Sequence, residues 1–143
     1  GQSVQSVVNN SALRRVMTAS MRETVRVGLA HGIHFETLQG LTHRRLRAFS
    51  LSPLWLGELL PRAMANRMGT TPNPGSTLQS IRRNQPSEVD ALNGAVVRAT
   101  AALARDARVN ALMVELVHAV EDSGTFFTPD EVAARYAALK RDS

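Results

Sequence analysis

At 143 residues and 43% hydrophobic content, the chain has the size and apolar fraction of one compact domain that folds without staples. It has no cysteine, which excludes disulfides and thiolate metal sites and leaves nothing pointing to an oxidising compartment. The net charge of +5 rests almost wholly on arginine, but the arginines are scattered along the chain and one Trp and one Tyr are too few to interleave with them for base stacking, so no nucleic-acid partner is expected.

No apolar run approaches the roughly 18 to 20 residues of a membrane span, and the N-terminal GQSVQSVVNN lacks the layout of a signal peptide. The expectation is a cytoplasmic protein with no membrane partner. Val, Ile, Thr and aromatic residues never alternate over a strand's length, whereas apolar residues recur three and four apart, so the chain reads as all-α.

In chain order, Asn10 or Ser11 caps a helix striped by Leu13, Val16, Met17, Met21, Val25 and Leu29 and stopped at Gly32. The stretch 42–68 is helical but holds Pro53 and Pro61, which divide it into two or three shorter helices. Leu56, Leu59, Leu60, Ala63 and Met64 are expected to face the core there, with Trp55 near the edge. GTTPNPG, residues 69–75, reads as a loop. A short helix at 77–83 and an NQP turn lead to Ser87, which caps a long helix striped by Val89, Leu92, Val96, Ala99 and Leu103, expected to be the central buried one. Asn110 to Val120 reads as a further helix, and Thr128, Pro129, Asp130 and Glu131 form the strongest start signal in the chain, opening a last helix to Leu139.

The stretch from Ser76 to Gly94, STLQSIRRNQPSEVDALNG, carries the chemistry-bearing residues. It sets Ser76 at the start of one helix and Glu88 at the start of the next. Helix starts present unsatisfied amides and a positive dipole end, which suit an anionic ligand, so Ser76 is a candidate carboxylate-binding residue. On physical grounds alone, the competing explanation is that Ser76 caps its helix and Glu88 sits favourably on the dipole. His31, His34 and Glu36 surround a glycine turn that breaks the helix needed to align them, so no metal is expected. Glu121 and Asp122 are adjacent and point apart on a helix, and Glu115 with His118 forms at most a surface pair.

These residues resemble the C-terminal half of the ketopantoate reductase (2-dehydropantoate 2-reductase) family: Ser76, then Glu88, Val89 and Asp90, then Asn93 and Gly94 stand as in its signature. Upstream, ALRRVM and MRETVRVGLAHGI look like the family's glutamate-bearing helix and glycine turn; downstream, Val109 and Asn110 occupy the place of its PxN turn, without the proline. The resemblance runs from about Ala12 to Val120 and implies a multi-helix bundle of the 6-phosphogluconate-dehydrogenase C-terminal-like type, with six to seven helices over residues 1–143. It further implies an oxidoreductase that uses NADPH to reduce a 2-oxo acid, ketopantoate to pantoate, in pantothenate synthesis. Ser76 would bind substrate, and Glu88 would be the catalytic residue that orients or polarises the acid–base machinery. Asp90 and Asn93 would hold the turn and the helix packing.

The glycine-rich dinucleotide fingerprint is absent, and Lys140, the sole lysine, does not match the family's catalytic lysine, which stands upstream of this region. The expectation is therefore a helical substrate-binding and homodimer-forming domain of a longer reductase, inactive by itself. The alternative is a non-catalytic helical binding module.

Overall fold

The computed structural model describes residues 2–37, 40–67, 69, 75–103 and 106–141. Among them there is no strand, and the helices are α1 (Val4–Asn9), α2 (Ser11–Ala30), α3 (His43–Leu51), α4 (Leu54–Gly57), α5 (Leu59–Arg67), α6 (Ser76–Arg82), α7 (Val89–Thr100), α8 (Arg108–Ser123) and α9 (Pro129–Arg141), with a 3-10 turn at Ala101–Leu103 after α7. The all-α reading holds. Most of the loop expected at 69–75 lies outside the described residues.

The centre of the molecule is α2, not α7. It packs against α1, α3, α4, α5, α7, α8 and α9, whereas α7 buries only Val89, Gly94 and Thr100 and leaves Leu92 57% exposed. The reason lies in the sequence of α2: besides its apolar stripe, it buries Arg14, Thr18 and Gly28, small or internally bonded groups that let helices approach from every side. Asn10 accepts from the Leu13 amide at 3.0 Å to start α2. At its end, Gly32 in the left-handed region (φ 72) lets the Gly32 and Ile33 amides return to the Leu29 and Gly28 carbonyls.

One helix was not legible. Ser3 accepts from the Ser6 amide at 3.2 Å and opens α1, whose Val4, Val7 and Val8 supply a stripe too short to stand out among Gln, Ser and Asn.

The stretch 42–67 does divide into three helices, but with the opposite face inward. Leu56, Leu59, Ala63 and Met64 are exposed, Leu60 is half-buried, and the buried positions of α4, α5 and their junction are Gly57, Glu58 and Pro61. The cause is electrostatic. Glu58, at the junction of α4 and α5, accepts from Arg14 Nε at 3.0 Å and Arg15 Nε at 3.2 Å, while Arg14 Nη1 donates to the Val8 carbonyl at 2.7 Å. A carboxylate buried against α2 needs these partners, and fixing it inward turns the leucines out. Trp55 is 70% exposed.

The densest apolar packing joins α2, α8 and α9, where Val16, Leu112, Leu116 and Tyr136 are buried together against Ala19, Val109, Met113, Phe127, Val132 and Leu139. Truncating such a leucine to alanine typically costs about 2 to 5 kcal/mol. The start of α9 is as read: Thr128 Oγ1 accepts from the Glu131 amide at 3.3 Å while Glu131 accepts from the Thr128 amide at 2.7 Å, a reciprocal capping box.

Candidate functional site

α8 begins with a deficit. Its N-cap residue is Ala107, which has no side-chain acceptor, so the first amides of the helix need a partner from elsewhere. Glu23, on α2, supplies it: one carboxylate oxygen accepts from the Val109 amide at 3.1 Å, the other from the Asn110 amide at 2.7 Å and from Asn110 Nδ2 at 2.6 Å. A negative charge here also meets the positive end of the helix dipole.

Asn110 is fully buried and passes the connection on. Its Oδ1 accepts from Ser20 Oγ at 3.1 Å and from Asn93 Nδ2 at 2.8 Å, and its Nδ2 also approaches the Ser20 carbonyl at 3.3 Å. Glu23, Ser20, Asn93 and Asn110 thus lock α2, α7 and α8 together. Asn93 packs helices as expected, and Asp90 does so too: its carboxylate meets His118 Nε2 of α8 at 3.0 Å, and its carbonyl accepts from Arg98 Nη2 at 3.1 Å. Sequence reasoning singled out the glutamate helix, the Asn–Gly pair and Asn110 separately; their convergence across 87 positions from Glu23 to Asn110 is tertiary and has no local signal.

Ser76 and Glu88 stand at the two helix starts as expected. The N-cap of α6 is Gly75, with Ser76 the first helical residue, so Ser76 does not cap its own helix. Glu88 occupies the N-cap position of α7 but makes no side-chain capping bond; the Val89 amide turns instead to Ser87 Oγ at 3.4 Å, and the Ser87 amide donates to Glu121 at 2.8 Å. Both side chains are exposed. Among the described residues, no hydrogen bond or ion pair engages either of them or joins one to the other. Between them, α6 closes with Asn84 in the left-handed region (φ 53), where the Asn84 and Gln85 amides donate back to Ile81 and Ser80 before Pro86 redirects the chain.

Gly75 and Thr77, the residues on either side of Ser76, line a groove of about 430 Å³. Its walls are largely apolar, including Val16, Met17 and Met113, with Ser20 and Asn93 of the polar network at one side. A second cavity, of about 560 Å³, opens on α2 beside Arg22, Glu23 and Arg26. Arg22 and Arg26 stand four apart on α2, but nothing local in the sequence marks a cavity beside them.

The histidines serve the framework. His31 Nε2 meets the Ala99 carbonyl at 2.8 Å, and His34 stacks on His43 with centroids 4.2 Å apart. Among the described residues there is no cluster of three or more His, Asp or Glu arranged to hold a metal, and no helix is long and apolar enough to cross a membrane. Glu115 pairs with Arg135 at 3.2 Å instead of with His118.

No curated protein and no solved structure matches the chain. The model of the family Ketopantoate reductase PanE/ApbA C terminal matches residues 1–121, which span α1 to most of α8 and hold Ser76, Glu88 and all four members of the buried polar network. The chain belongs to the ketopantoate reductase C-terminal domain family.

Proposed function

We propose that this chain is the substrate-binding part of an NADPH-dependent reductase that converts a 2-oxo acid, ketopantoate being the family's default, into the 2-hydroxy acid in the cytoplasm. The observation that carries the proposal is that Ser76 and Glu88, the two site residues that the sequence resemblance implies, are both exposed and neither side chain is spent on helix capping.

In this reading the Ser76 hydroxyl donates to a substrate oxygen at the start of α6, beside the apolar groove that would receive the substrate's carbon body. Glu88, at the start of α7, accepts from the donor that protonates the nascent alkoxide and orients it. The Glu23–Asn110–Asn93 network holds α7 on α2 and so keeps Glu88 in register with the rest of the domain.

NADPH does not fit this chain taken alone. The described residues include no strand followed by a glycine-rich turn, the cradle that a dinucleotide pyrophosphate takes. Its binding, and the proton-donating lysine, are assigned in this proposal to sequence outside the 143 residues, and the isolated chain is expected not to turn over.

The test is NADPH oxidation by the full-length gene product with 2-dehydropantoate and a panel of 2-oxo acids, comparing wild type with Ser76→Ala and Glu88→Ala. Loss of about 10²- to 10⁴-fold in kcat/KM for Glu88→Ala, with a smaller loss for Ser76→Ala weighted towards KM, is the expected result. A full-length protein inert on the whole panel overturns the reductase reading in favour of a non-catalytic binding module.

A further inference from the structure

The cavity of about 560 Å³ on α2 lies apart from Ser76 and Glu88, and its lining is chemically lopsided. Arg22 and Arg26, one helical turn apart, both face it, together with Glu23, Asp106 and Tyr136 as its other titratable groups and Ala19, Val27, Leu54 and Val109 as its apolar wall.

The two carboxylates are already committed. Both Glu23 oxygens are held by the start of α8, and Asp106 is paired with Arg108 at 3.3 Å on the surface. The guanidiniums are not balanced in the same way. Arg26 Nε donates to the Ser50 carbonyl at 2.9 Å, a neutral acceptor. Arg22 Nε is sequestered from solvent and has no hydrogen-bond partner. Among the described residues, no carboxylate lies within ion-pair distance of either guanidinium. Burial and then the neighbouring charge of Arg26 hold the Arg22 guanidinium below its ordinary pKa, with Tyr136 acting in the opposite direction.

Two guanidiniums one helical turn apart, with no carboxylate within ion-pair distance of either, repel each other unless an anion lies between them. Guanidinium forks match the geometry of phosphate oxygens, and two adjacent cations match a dianion better than a monoanion. The apolar wall leaves room for a short carbon body behind the charged head. We infer that this cavity binds a small phosphomonoester, its phosphate held between Arg22 and Arg26. Neither Ser76 nor Glu88 lines this cavity, and the inference does not rest on the proposed reductase chemistry.

The experiment is a titration of the protein, at constant ionic strength, with inorganic phosphate, butyl phosphate and butyrate, read by the chemical shift of the Arg22 Nε–H signal and by Tm. Saturable shifts with both phosphates are expected, tighter for butyl phosphate, with butyrate weaker than either. Arg26→Gln and Arg22→Gln should each raise Kd about tenfold or more, the loss of one charge-assisted contact. Arg22→Lys, which keeps the charge but removes the fork, tests the same contact if Arg22→Gln fails to fold, and is expected to weaken binding as well. Asp106→Asn should tighten binding by removing a repulsive charge, and Arg82→Gln, on exposed α6, should change nothing. No saturable response, a response undiminished in the Arg22 and Arg26 variants, or butyrate binding as tightly as butyl phosphate overturns the inference.

Discussion

At the scale of the residue, Asn110 carries the most consequence per atom. Its side chain is fully buried, and both of its polar atoms are used: the amide nitrogen on Glu23 and Ser20, the oxygen accepting from Ser20 and Asn93. An alanine at this position removes the partner of three half-buried side chains, those of Ser20, Glu23 and Asn93, at once. The expected cost of Asn110→Ala is about 2 to 4 kcal/mol, because orphaned buried polar groups keep their full desolvation penalty. Asn110→Asp is expected to cost more at neutral pH although it is nearly isosteric, since it sets a second carboxylate 2.6 Å from that of Glu23. Urea denaturation at neutral pH measures both; an aspartate variant as stable as wild type would show that the amide does not donate to Glu23. The same residue scale explains what the sequence hid. Asn110 and Glu23 were visible as family positions, but that Glu23 compensates for Ala107, a residue unable to cap α8, is a relation between distant helices.

At the scale of the element, helices whose start signals are local were readable, and those positioned by distant charges were not. Asn10, Gly32 and the Thr128–Glu131 pair sit within a few residues of the backbone groups they satisfy, so the bounds of α2 and α9 followed from sequence. The inward face of α4 and α5 depended instead on Arg14 and Arg15, more than 40 positions away, and came out reversed. Ser76 and Glu88 were legible as helix starts, yet their freedom from capping duty was not: Gly75 holds the N-cap of α6, and Glu88 holds that of α7 while the Val89 amide turns to Ser87 Oγ. The capping box of α9 also makes a pH prediction. The Thr128 amide and hydroxyl hold the Glu131 carboxyl below its ordinary value near 4.5. A depressed folded-state pKa stabilises above the unfolded value and the stabilisation is lost as pH falls through the folded one. The first turn of α9 should therefore fray in the acid range below pH 4.5, as followed by amide hydrogen exchange at Asp130 and Glu131. Glu131→Gln should flatten that acid dependence, and an unchanged profile in the variant would assign it to another group.

At the scale of the whole molecule, the inversion of α4 and α5 leaves Leu51, Trp55, Leu56, Leu59 and Met64 exposed along one stretch of chain, with Leu51 at 74% and Trp55 at 70%. Single exposed apolar residues are ordinary, but five within 14 positions, one of them the sole tryptophan, are what an association surface supplies. The burial of Glu58 sets this arrangement: the ion pair with Arg14 and Arg15 faces α2, and the leucines are turned outward as a consequence. We propose that the homodimer expected from the sequence forms through this surface. Trp55→Glu and Leu59→Glu place charges on it without touching the α2, α8 and α9 core, so the helical signal by circular dichroism should be retained. Each is expected to weaken self-association at least about tenfold, read as a fall in mass-averaged molecular weight by sedimentation or light scattering. Wild type that stays monomeric at the highest accessible concentration overturns the dimer for this chain, whereas a dimer that persists in both variants moves its interface to another face and leaves the exposed leucines of α4 and α5 to contact the rest of the proposed reductase.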